Sequence, residues 1–325
     1  MEQINWGIIG CGDVTEVKSG PAFKKVPNSR LVAVMRRDAQ KVEDYALRHG
    51  VPKWYTDADK LINDADVNAI YIATPPLQHE MYCLAALEAG KAVYVEKPMT
   101  MDANSAQRMI DAAEKNDVKL SVAHYRRLQP MFLKVKSLLD DKIIGDIRFV
   151  NLKMLQPPNP DLIAKSDENW RTNPAISGGG LFHDLAPHQI DLMTYYFGSV
   201  KKAQGMAIKQ QHNTTADDLV AGNILFDSGV VFNGLWCFSV SKAEQADVCE
   251  IYGEKGKISF PMFGRKISVT IDGILKEYEF EPLEHVQQPM IEQVVNYFLG
   301  KGTNPCSGED ALITMKIMDT FTINK

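Results

Sequence analysis

The alternation of short apolar runs with helical patterns in the first third of the chain is the feature that most constrains its fold. INWGIIG, RLVAVM, VNAIYIAT and AVYVEKP each have the pattern of a buried strand, and helical patterns follow the last three. Continuous apolar strands separated by helices are typical of a parallel sheet that is covered on both faces. We therefore predict an α/β fold with a doubly wound parallel sheet over residues 1–123.

The remainder of the chain, residues 124–325, has a different pattern. Strand-like runs such as DLVAGNILF and KISVTIDG follow one another through turn residues rather than helices, which favours antiparallel pairing. Two amphipathic patterns, in EHVQQPMIEQVVNYFLG and GEDALITMKIMDTFTI, end the chain. We predict an α+β domain with a large, mostly antiparallel open sheet. In one arrangement of this tail, the C-terminal helices pack back on the first domain.

The turn GIIGCGDVT after the first strand indicates a dinucleotide site. Gly10 and Gly12 form a G-x-G pattern between strand and helix, where glycine lets a pyrophosphate approach the helix N-terminus. Thr15 stands where the usual fingerprint has a third glycine. We predict a Rossmann domain whose cofactor contacts this turn at Gly10, Cys11, Gly12, Asp13 and Val14.

The end of the second strand bears on the choice between cofactors. An acid there would hydrogen-bond the ribose 2′-hydroxyl of NAD, whereas arginine would pair with the 2′-phosphate of NADP. LVAVMRRD ends in Arg36 and Arg37, and Asp38 follows them. We therefore predict that NADP(H) is preferred, with NAD(H) as the alternative. A solvated basic turn that contacts no ligand is the structural alternative.

Several separated motifs together resemble the glucose–fructose oxidoreductase, inositol dehydrogenase and rhizopine catabolism (Gfo/Idh/MocA) family. These are Thr74-Pro75-Pro76 with His79, Glu96-Lys97-Pro98, and GGGLFHDLAPHQID at residues 178–191. The resemblance implies a Rossmann domain, a second domain whose open sheet covers the nicotinamide, and hydride transfer on a sugar or polyol. It also implies a set of cofactor-side residues: Thr74, Pro75, Pro76, His79, Glu96, Lys97, Trp170 and Arg171.

The residues of these motifs suit that chemistry. Lys97 ends a predicted strand, where ligands of open α/β sheets collect, and Pro98 restricts it to extended geometry, with a cis bond as one possibility. In a helix, Asp184 and His188 share a face at i and i+4. Pro187 must fall in the first turn or it kinks the helix, and in either case Asp184 and His188 remain the pair. Histidine suits a general acid/base because its ordinary pKa is close to neutrality.

The resemblance places Lys97, Asp184 and His188 on the family's catalytic lysine, aspartate and histidine. We expect His188 to act as the acid/base, Asp184 to orient it or to contact a substrate hydroxyl, and Lys97 to polarise the oxygen. Tyr125, Arg126 and His183 are candidate substrate contacts, each with a structural alternative. We expect no metal, because His183 and His188 at i and i+5 diverge by about 140° on a helix.

Composition excludes several classes of partner. The net charge of −5 gives no electrostatic reason to expect a nucleic acid or an anionic membrane, and no apolar run approaches the length of a membrane span. The five cysteines form no C-x-x-C pair. Together with an N-terminus that lacks the pattern of a signal peptide, this predicts a cytoplasmic protein. The apolar strand GVVFNGLWCFSV predicts a homo-dimer or homo-tetramer formed through the C-terminal sheet.

Two other functions are compatible with the same pattern. One is a glycosidase that keeps NAD bound and uses it transiently, so that hydrolysis involves no net redox change. The other is a sensor that binds the cofactor without turnover, which would have no need of Lys97, Asp184 and His188. We expect an oxidoreductase that acts on the CH–OH group of a sugar or polyol.

Overall fold

The computed structural model describes residues 2–163, 170–212 and 214–322 of the chain. The strands are β1 Ile4–Ile9, β2 Ser29–Met35, β3 Lys53–Tyr55, β4 Ala69–Ile72, β5 Ala92–Val95, β6 Leu120–Val122, β7 Ile147–Leu155, β8 Val200–Ile208, β9 Leu219–Phe226, β10 Val231–Cys237, β11 Ala246–Gly253, β12 Gly256–Phe260, β13 Lys266–Ile271 and β14 Ile274–Glu279. The helices are α1 Asp13–Val17, α2 Ala22–Lys25, α3 Ala39–His49, α4 Ala58–Ile62, α5 His79–Glu88, α6 Ala103–Lys115, α7 Pro130–Asp140, α8 Pro174–Ser177, α9 Leu181–Phe197, α10 Gln288–Phe298 and α11 Gly308–Thr322. None of the helices in these described ranges has the length and apolar character needed to cross a bilayer.

The chain divides into two compact units. The first unit comprises Met1–Tyr125 and Leu283–Met315, and the second comprises Arg126–Pro282 and Lys316–Lys325. The first unit therefore contains α10, which follows the second sheet in the sequence.

The first unit contains the predicted parallel sheet. Its strand order is β3-β2-β1-β4-β5-β6, and every adjacent pair is parallel. The order reverses beside β1, so the carboxyl ends of β1 and β4 flank the point at which doubly wound sheets bind their ligands. The predicted Rossmann-type sheet is confirmed. The short strand β3 and the helix α4 were not predicted, since three to five residues carry too little periodicity.

Local chemistry sets the ends of the helices in this unit. Asp38 accepts a hydrogen bond from the Lys41 amide at the start of α3, and Asp102 does the same for Ser105 at the start of α6, as N-cap residues do. Gly50 ends α3 in the left-handed region at φ +57°, which glycine adopts without strain. These signals explain why α3 and α6 begin at these residues and why α3 ends at Gly50.

The second unit contains the predicted open sheet. Its strand order is β14-β13-β12-β11-β7-β10-β9-β8, and among these pairs only β7 with β10 is parallel. The long helix α9 packs on the inner face, where Trp236 Nε1 donates to Gln189 Oε1 at 2.6 Å. The Phe321 ring packs on the same face, against Gly222. A Cβ atom added to Gly222 would lie 2.3 Å from that ring. The edge strand β14 was not predicted, because its side chains are mostly exposed.

The outer face of this sheet carries two parallel rows of side chains. The strand registers align a polar row across all eight strands: Gln204, Asn223, Asn233, Asn151, Glu250, Ser259, Ser268 and Glu277. An apolar row lies beside it: Leu225, Val231, Phe149 and Tyr252. Phe149 and Tyr252 stack with their centroids 4.6 Å apart. This face therefore combines aromatic area with an ordered ladder of hydrogen-bonding groups.

Candidate active site

The glycine turn of the first unit has the geometry of a nucleotide-binding loop. Gly10 adopts φ +93°, and a Cβ atom there would lie 2.7 Å from the backbone nitrogen of Thr74, so only glycine fits. The amides of Gly10 and Cys11 both donate to the Met35 carbonyl, which fixes the turn to the end of β2. At Gly12, the N-cap of α1, the nearest atom to an added Cβ is 4.0 Å away. That open space is where a phosphate group could approach the backbone.

Thr15 stands where the usual fingerprint has its third glycine. Its side chain is fully buried, and its hydroxyl donates to the Gly12 carbonyl at 2.8 Å. Its own carbonyl oxygen accepts from the Tyr45 hydroxyl at 2.9 Å. A Cβ atom on Gly20 would lie 2.1 Å from that same oxygen, so the segment after α1 packs closely against Thr15.

The basic pair after β2 lies beside the glycine turn. Arg36 donates from Nη1 to the Cys11 carbonyl at 3.2 Å, so its guanidinium is anchored to the loop, while Arg37 is exposed. Asp38 is occupied as the N-cap of α3. The Cys11 thiol is buried, and burial raises its pKa to about 12. Cys11 thus contributes its backbone rather than a reactive thiolate.

His79 connects the segments that follow β4 and β5. Its Nε2 lies 2.7 Å from the Thr74 carbonyl oxygen and its Nδ1 lies 3.0 Å from the Pro98 carbonyl oxygen. Burial lowers the pKa of His79 to about 4, although hydrogen bonds to these two carbonyls favour the charged form. A neutral imidazole has one N–H and can donate to one carbonyl at a time. The ring therefore lies between the Thr74 and Pro98 carbonyls and donates to one of them, and direct contact with a cofactor stays a prediction.

Lys97 follows β5 at the carboxyl edge of the parallel sheet. The Lys97–Pro98 peptide bond is cis. The neighbouring Glu96 is only 6% exposed, and its carboxylate accepts hydrogen bonds from Tyr71 at 2.5 Å and from Gln287 at 2.6 Å. Its second oxygen accepts from the Lys97 amide at 3.2 Å. Glu96 thus supports Lys97 from within the unit, and Gln287 is a participant that the sequence patterns did not reveal.

In the second unit, α9 carries both predicted partners of Lys97. Asp184 and His188 occupy i and i+4 of this helix and so lie on one face. Pro187 lies in the interior of α9 rather than in its first turn, so the His183 carbonyl has no helical donor. Asp184 is in the first turn, where a carboxylate interacts favourably with the helix dipole.

Arg171 is the charged neighbour of Asp184. Its Nε lies 3.4 Å from Asp184 Oδ2, and the two side chains are 9% and 14% exposed. The guanidinium also lies over the Trp170 ring, 4.5 Å from the centroid. The short WRTNP segment therefore brings a cation and an aromatic ring to the start of α9.

His183 occupies a space that the glycine run creates. A Cβ atom on Gly179 would lie 2.0 Å from His183 Nδ1, so the imidazole sits directly against that backbone. The ring is 3% exposed, and burial lowers its pKa to about 4. This packing accounts for a glycine at position 179. The predicted substrate contact of His183 stays a prediction.

A hairpin loop between β12 and β13 reaches His188, which sequence patterns did not indicate. The His188 and Phe263 ring centroids lie 6.2 Å apart in an edge-to-face arrangement. Arg126 stacks over the Phe263 ring at 4.3 Å from the centroid and donates to the Met262 carbonyl. Asp247 accepts from the amides of Met262 and Phe263 at 2.9 and 2.7 Å. Arg126 is thus 8% exposed and supports this loop.

The remaining features are Tyr125 and a pocket in the second unit. Tyr125 is buried at the end of the first unit. A pocket of about 360 Å³ opens in the second unit, and Thr172 and Leu181 line it. Thr172 follows Arg171 in the sequence, and Leu181 precedes Asp184 by about one helical turn. Its other polar lining side chains are amides, hydroxyls and acids: Asn159, Asn173, Gln211, Thr214, Thr215, Asp217 and Asp218.

Both units match models of one protein family. Residues 4–124 match the oxidoreductase family with an NAD-binding Rossmann fold, and residues 132–259 match the Gfo/Idh/MocA C-terminal domain. The chain belongs to the Gfo/Idh/MocA oxidoreductase family. The resemblance carried by the Thr74, Lys97 and Asp184 motifs is therefore confirmed, and the protein is an oxidoreductase of this family with an NAD-binding fold.

Relatives of this Gfo/Idh/MocA protein are similar over most of its length. Oxidoreductase P35 of Formosa agariphila is 50% identical, over 98% of this chain and 98% of that protein. Trans-1,2-dihydrobenzene-1,2-diol dehydrogenase of Oryctolagus cuniculus is 30% identical, over 78% of this chain and 72% of that protein. The structure of levoglucosan dehydrogenase in complex with NADH has the same fold, with a TM-score of 0.87 at 20% identity, over 98% and 96% of the two chains.

Proposed function

We propose that this protein transfers hydride between NADP(H) and a carbon of a sugar or polyol. The observation that carries the proposal is the placement of the family's motifs. Lys97 follows β5 at the ligand-binding edge of the parallel sheet, while Asp184 and His188 share a face of α9. We propose residues 1–123 as the cofactor domain and residues 124–325 as the substrate domain, with the C-terminal segment Leu283–Met315 packing back into the first unit.

The glycine turn fits a dinucleotide. Gly10 allows the tight turn and the space above Gly12 admits a phosphate, whose charge the amides at the start of α1 would favour. Asp13 and Val14 begin α1 and would contribute those amides. Thr74, Pro75 and Pro76 follow β4, on the other side of the ligand-binding edge.

Arg36 and Arg37 support a preference for NADP(H). The guanidinium of Arg36 is anchored to the Cys11 carbonyl, and Asp38 is committed to capping α3. The end of β2 therefore presents cations where an NAD enzyme presents a carboxylate for the ribose hydroxyls. A 2′-phosphate would gain charge-assisted hydrogen bonds from this pair. NAD(H) is the alternative, since the family match is to an NAD-binding fold and levoglucosan dehydrogenase was solved with NADH.

The nicotinamide, when bound, supplies or accepts the hydride. We assign the proton to His188: its imidazole takes the hydroxyl proton during alcohol oxidation and returns it during carbonyl reduction. Asp184 orients the imidazole or binds a substrate hydroxyl. The Lys97 ammonium donates to the reacting oxygen and stabilises its negative charge. Trp170 and Arg171 would border the cofactor, and Tyr125, Arg126 and His183 the substrate.

The pocket beside α9 supports a polyhydroxylated substrate. Amide, hydroxyl and carboxylate side chains such as Asn159, Thr172 and Asp217 line it, and these groups hydrogen-bond alcohols well. The pocket is therefore compatible with the sugar or polyol that we propose as the substrate.

We further propose a cytoplasmic homo-dimer or homo-tetramer that associates through the outer face of the second sheet. The stacked pair Phe149 and Tyr252 and the neighbouring Val231, 36% exposed, give that face an apolar centre. The five cysteines are free and buried, which suits a reducing compartment.

Fluorescence titration with NADPH and NADH in parallel tests the cofactor assignment. We expect tighter binding of NADPH, weakened at least tenfold by Arg37→Asp, because a charge-assisted hydrogen bond contributes about 1.5–3 kcal/mol. Arg30→Asp, at the opposite end of β2, is the matched control and should leave both affinities unchanged. Equal binding of the two cofactors would contradict the assignment to the arginine pair.

A further inference from the structure

We propose that Gln287 is a positioning residue for Lys97, acting through the buried carboxylate of Glu96. The inference rests on the proposed function, because that function assigns Lys97 to the reacting oxygen. The participating residues all belong to the first unit. Gln287 lies immediately before α10 as its N-cap residue, about 190 positions after Lys97 in the sequence.

The hydrogen bonds of Glu96 define what Gln287 does. Oε1 accepts from the Tyr71 hydroxyl at 2.5 Å and from Gln287 Nε2 at 2.6 Å. Oε2 accepts from the backbone amide of Lys97 at 3.2 Å. A buried carboxylate needs donors on its oxygens to remain where it is. The two side-chain donors therefore hold the group that in turn holds the Lys97 backbone.

The orientation of the Gln287 amide follows from its partners. A carboxylate can only accept, so the NH₂ group must face Glu96. The amide oxygen then accepts from the Tyr94 hydroxyl at 3.4 Å. The Tyr71 and Tyr94 rings stack with centroids 5.2 Å apart, which gives the network a rigid wall. Gln287 is 1% exposed, and so its amide is shielded from bulk solvent.

The backbone around Gln287 is attached to the helix that follows the glycine turn. The Gln287 amide donates to the Lys18 carbonyl at 3.2 Å, and His285 Nδ1 donates to the Val17 carbonyl at 2.7 Å. Residues 285–287 therefore contact the C-terminal end of α1 and the Glu96 carboxylate at once. These contacts hold Lys97 and the segment after the glycine turn in a fixed position relative to each other.

Glutamine is the residue that this position requires. A glutamate in its place would set a second carboxyl group about as close to Glu96 as the amide is now, and the pair would share one proton until the pH is high enough to remove it. Methionine would occupy a similar volume but would remove the donor. In the methionine variant, and in the glutamate variant once the shared proton is lost, Glu96 loses a hydrogen bond and the Lys97 amide loses its fixed acceptor.

Amide hydrogen exchange at Lys97 tests the positioning without any substrate. Gln287→Met should accelerate exchange of the Lys97 amide at least tenfold, while Gln288→Met, on the adjacent residue, should leave it unchanged. Global unfolding of each variant is measured alongside, so that local and general opening are distinguished. Unchanged exchange at Lys97 in a folded Gln287→Met variant would overturn the inference.

The pH dependence of kcat in Gln287→Glu supplies the second readout. As pH falls, the introduced carboxylate and Glu96 together bind one proton and regain an O–H donor, so the ratio of variant to wild-type kcat should rise at least tenfold. Gln287→Met should have a reduced kcat without that recovery, and Gln288→Glu should have a flat ratio. A flat ratio for Gln287→Glu would overturn the inference. A wild type that is inactive on every polyol would refute the proposed function, while the exchange at Lys97 would still decide the role of Gln287.

Discussion

Arg171 Nε lies 3.4 Å from Asp184 Oδ2, and this ion pair is largely shielded from solvent. The pair joins the WRTNP segment to the first turn of α9, four residues before His188. Removing one member abolishes this ion pair in a poorly solvated place. The position of Asp184 is therefore set by Arg171 as well as by the helix.

We expect Asp184→Asn to lower kcat by about 100-fold or more, because acid–base assistance typically contributes that much. Loss of this ion pair should also lower the free energy of unfolding, because both side chains are poorly solvated. Steady-state kinetics and denaturant unfolding measure the two effects. Asp161→Asn removes an exposed ion pair with Lys242 and should change neither. A wild-type kcat in Asp184→Asn would contradict the role given to this carboxylate.

The buried histidines His79 and His183 should make stability depend on pH. Burial lowers the pKa of each from 6.5 to about 4, so the unfolded chain binds protons more readily than the folded one. The contribution of each neutral histidine to the free energy of unfolding is complete above about pH 6.5 and is lost as pH falls towards 4. At about 1.4 kcal/mol for each pH unit, this contribution amounts to about 3 kcal/mol for each residue.

Denaturant unfolding at about pH 7 and pH 5 measures this effect. Wild type should lose about 2 kcal/mol per histidine over that interval, and His183→Gln should lose correspondingly less. His212→Gln, at an exposed position, should retain the wild-type dependence. If His183→Gln lost as much stability as wild type, the histidine would not be held neutral by burial.

Much of the fold could be predicted from the sequence, because local signals agree with it. Asp38 and Gly50 are residue types that favour the start and the end of a helix. The apolar runs next to Gly10 favour buried strands. The short strand β3 and the exposed edge strand β14 lack such signals, and tertiary pairing alone makes them strands.

The candidate site was predictable only in part. Motif spacing placed Lys97, Asp184 and His188 at strand ends and on a helix face. It could not reveal Gln287 or Phe263, since their contacts join residues far apart in the sequence and have no periodic pattern. Spacing also does not show that Glu96 is buried beneath Lys97 or that His183 fills the space beside Gly179.

Gly10→Ala should abolish tight cofactor binding. The added Cβ would lie 2.7 Å from the Thr74 backbone nitrogen at a residue with φ +93°, so the turn and the end of β4 must move apart. Gly90→Ala is the matched control: it also has positive φ, at +70°, but nothing lies within 4 Å of its added Cβ. Backbone strain should lower the free energy of unfolding of both variants by about 1 kcal/mol. Fluorescence titration that detected wild-type affinity in Gly10→Ala would contradict the assignment of this loop.

Charges placed on the outer face of the second sheet should dissociate the oligomer. Val231→Lys puts an ammonium group into the apolar row beside Phe149 and Tyr252, where an interface would bury it without a partner. We expect light scattering to give the mass of a single chain for this variant and a multiple of it for wild type. Val17→Lys, at an exposed site of the first unit, should remain oligomeric. A monomeric wild type would refute the proposal.

The measurement that tests the central claim most directly is a polyol oxidation in which product and reduced nicotinamide are both quantified in the same mixture. The account predicts equal amounts of the two in wild type and a kcat lowered by about 100-fold or more in His188→Gln. Product that forms by hydrolysis without net reduction of the cofactor would contradict the oxidoreductase assignment of the reaction. Wild-type kcat in His188→Gln would contradict the role of His188 as the acid/base.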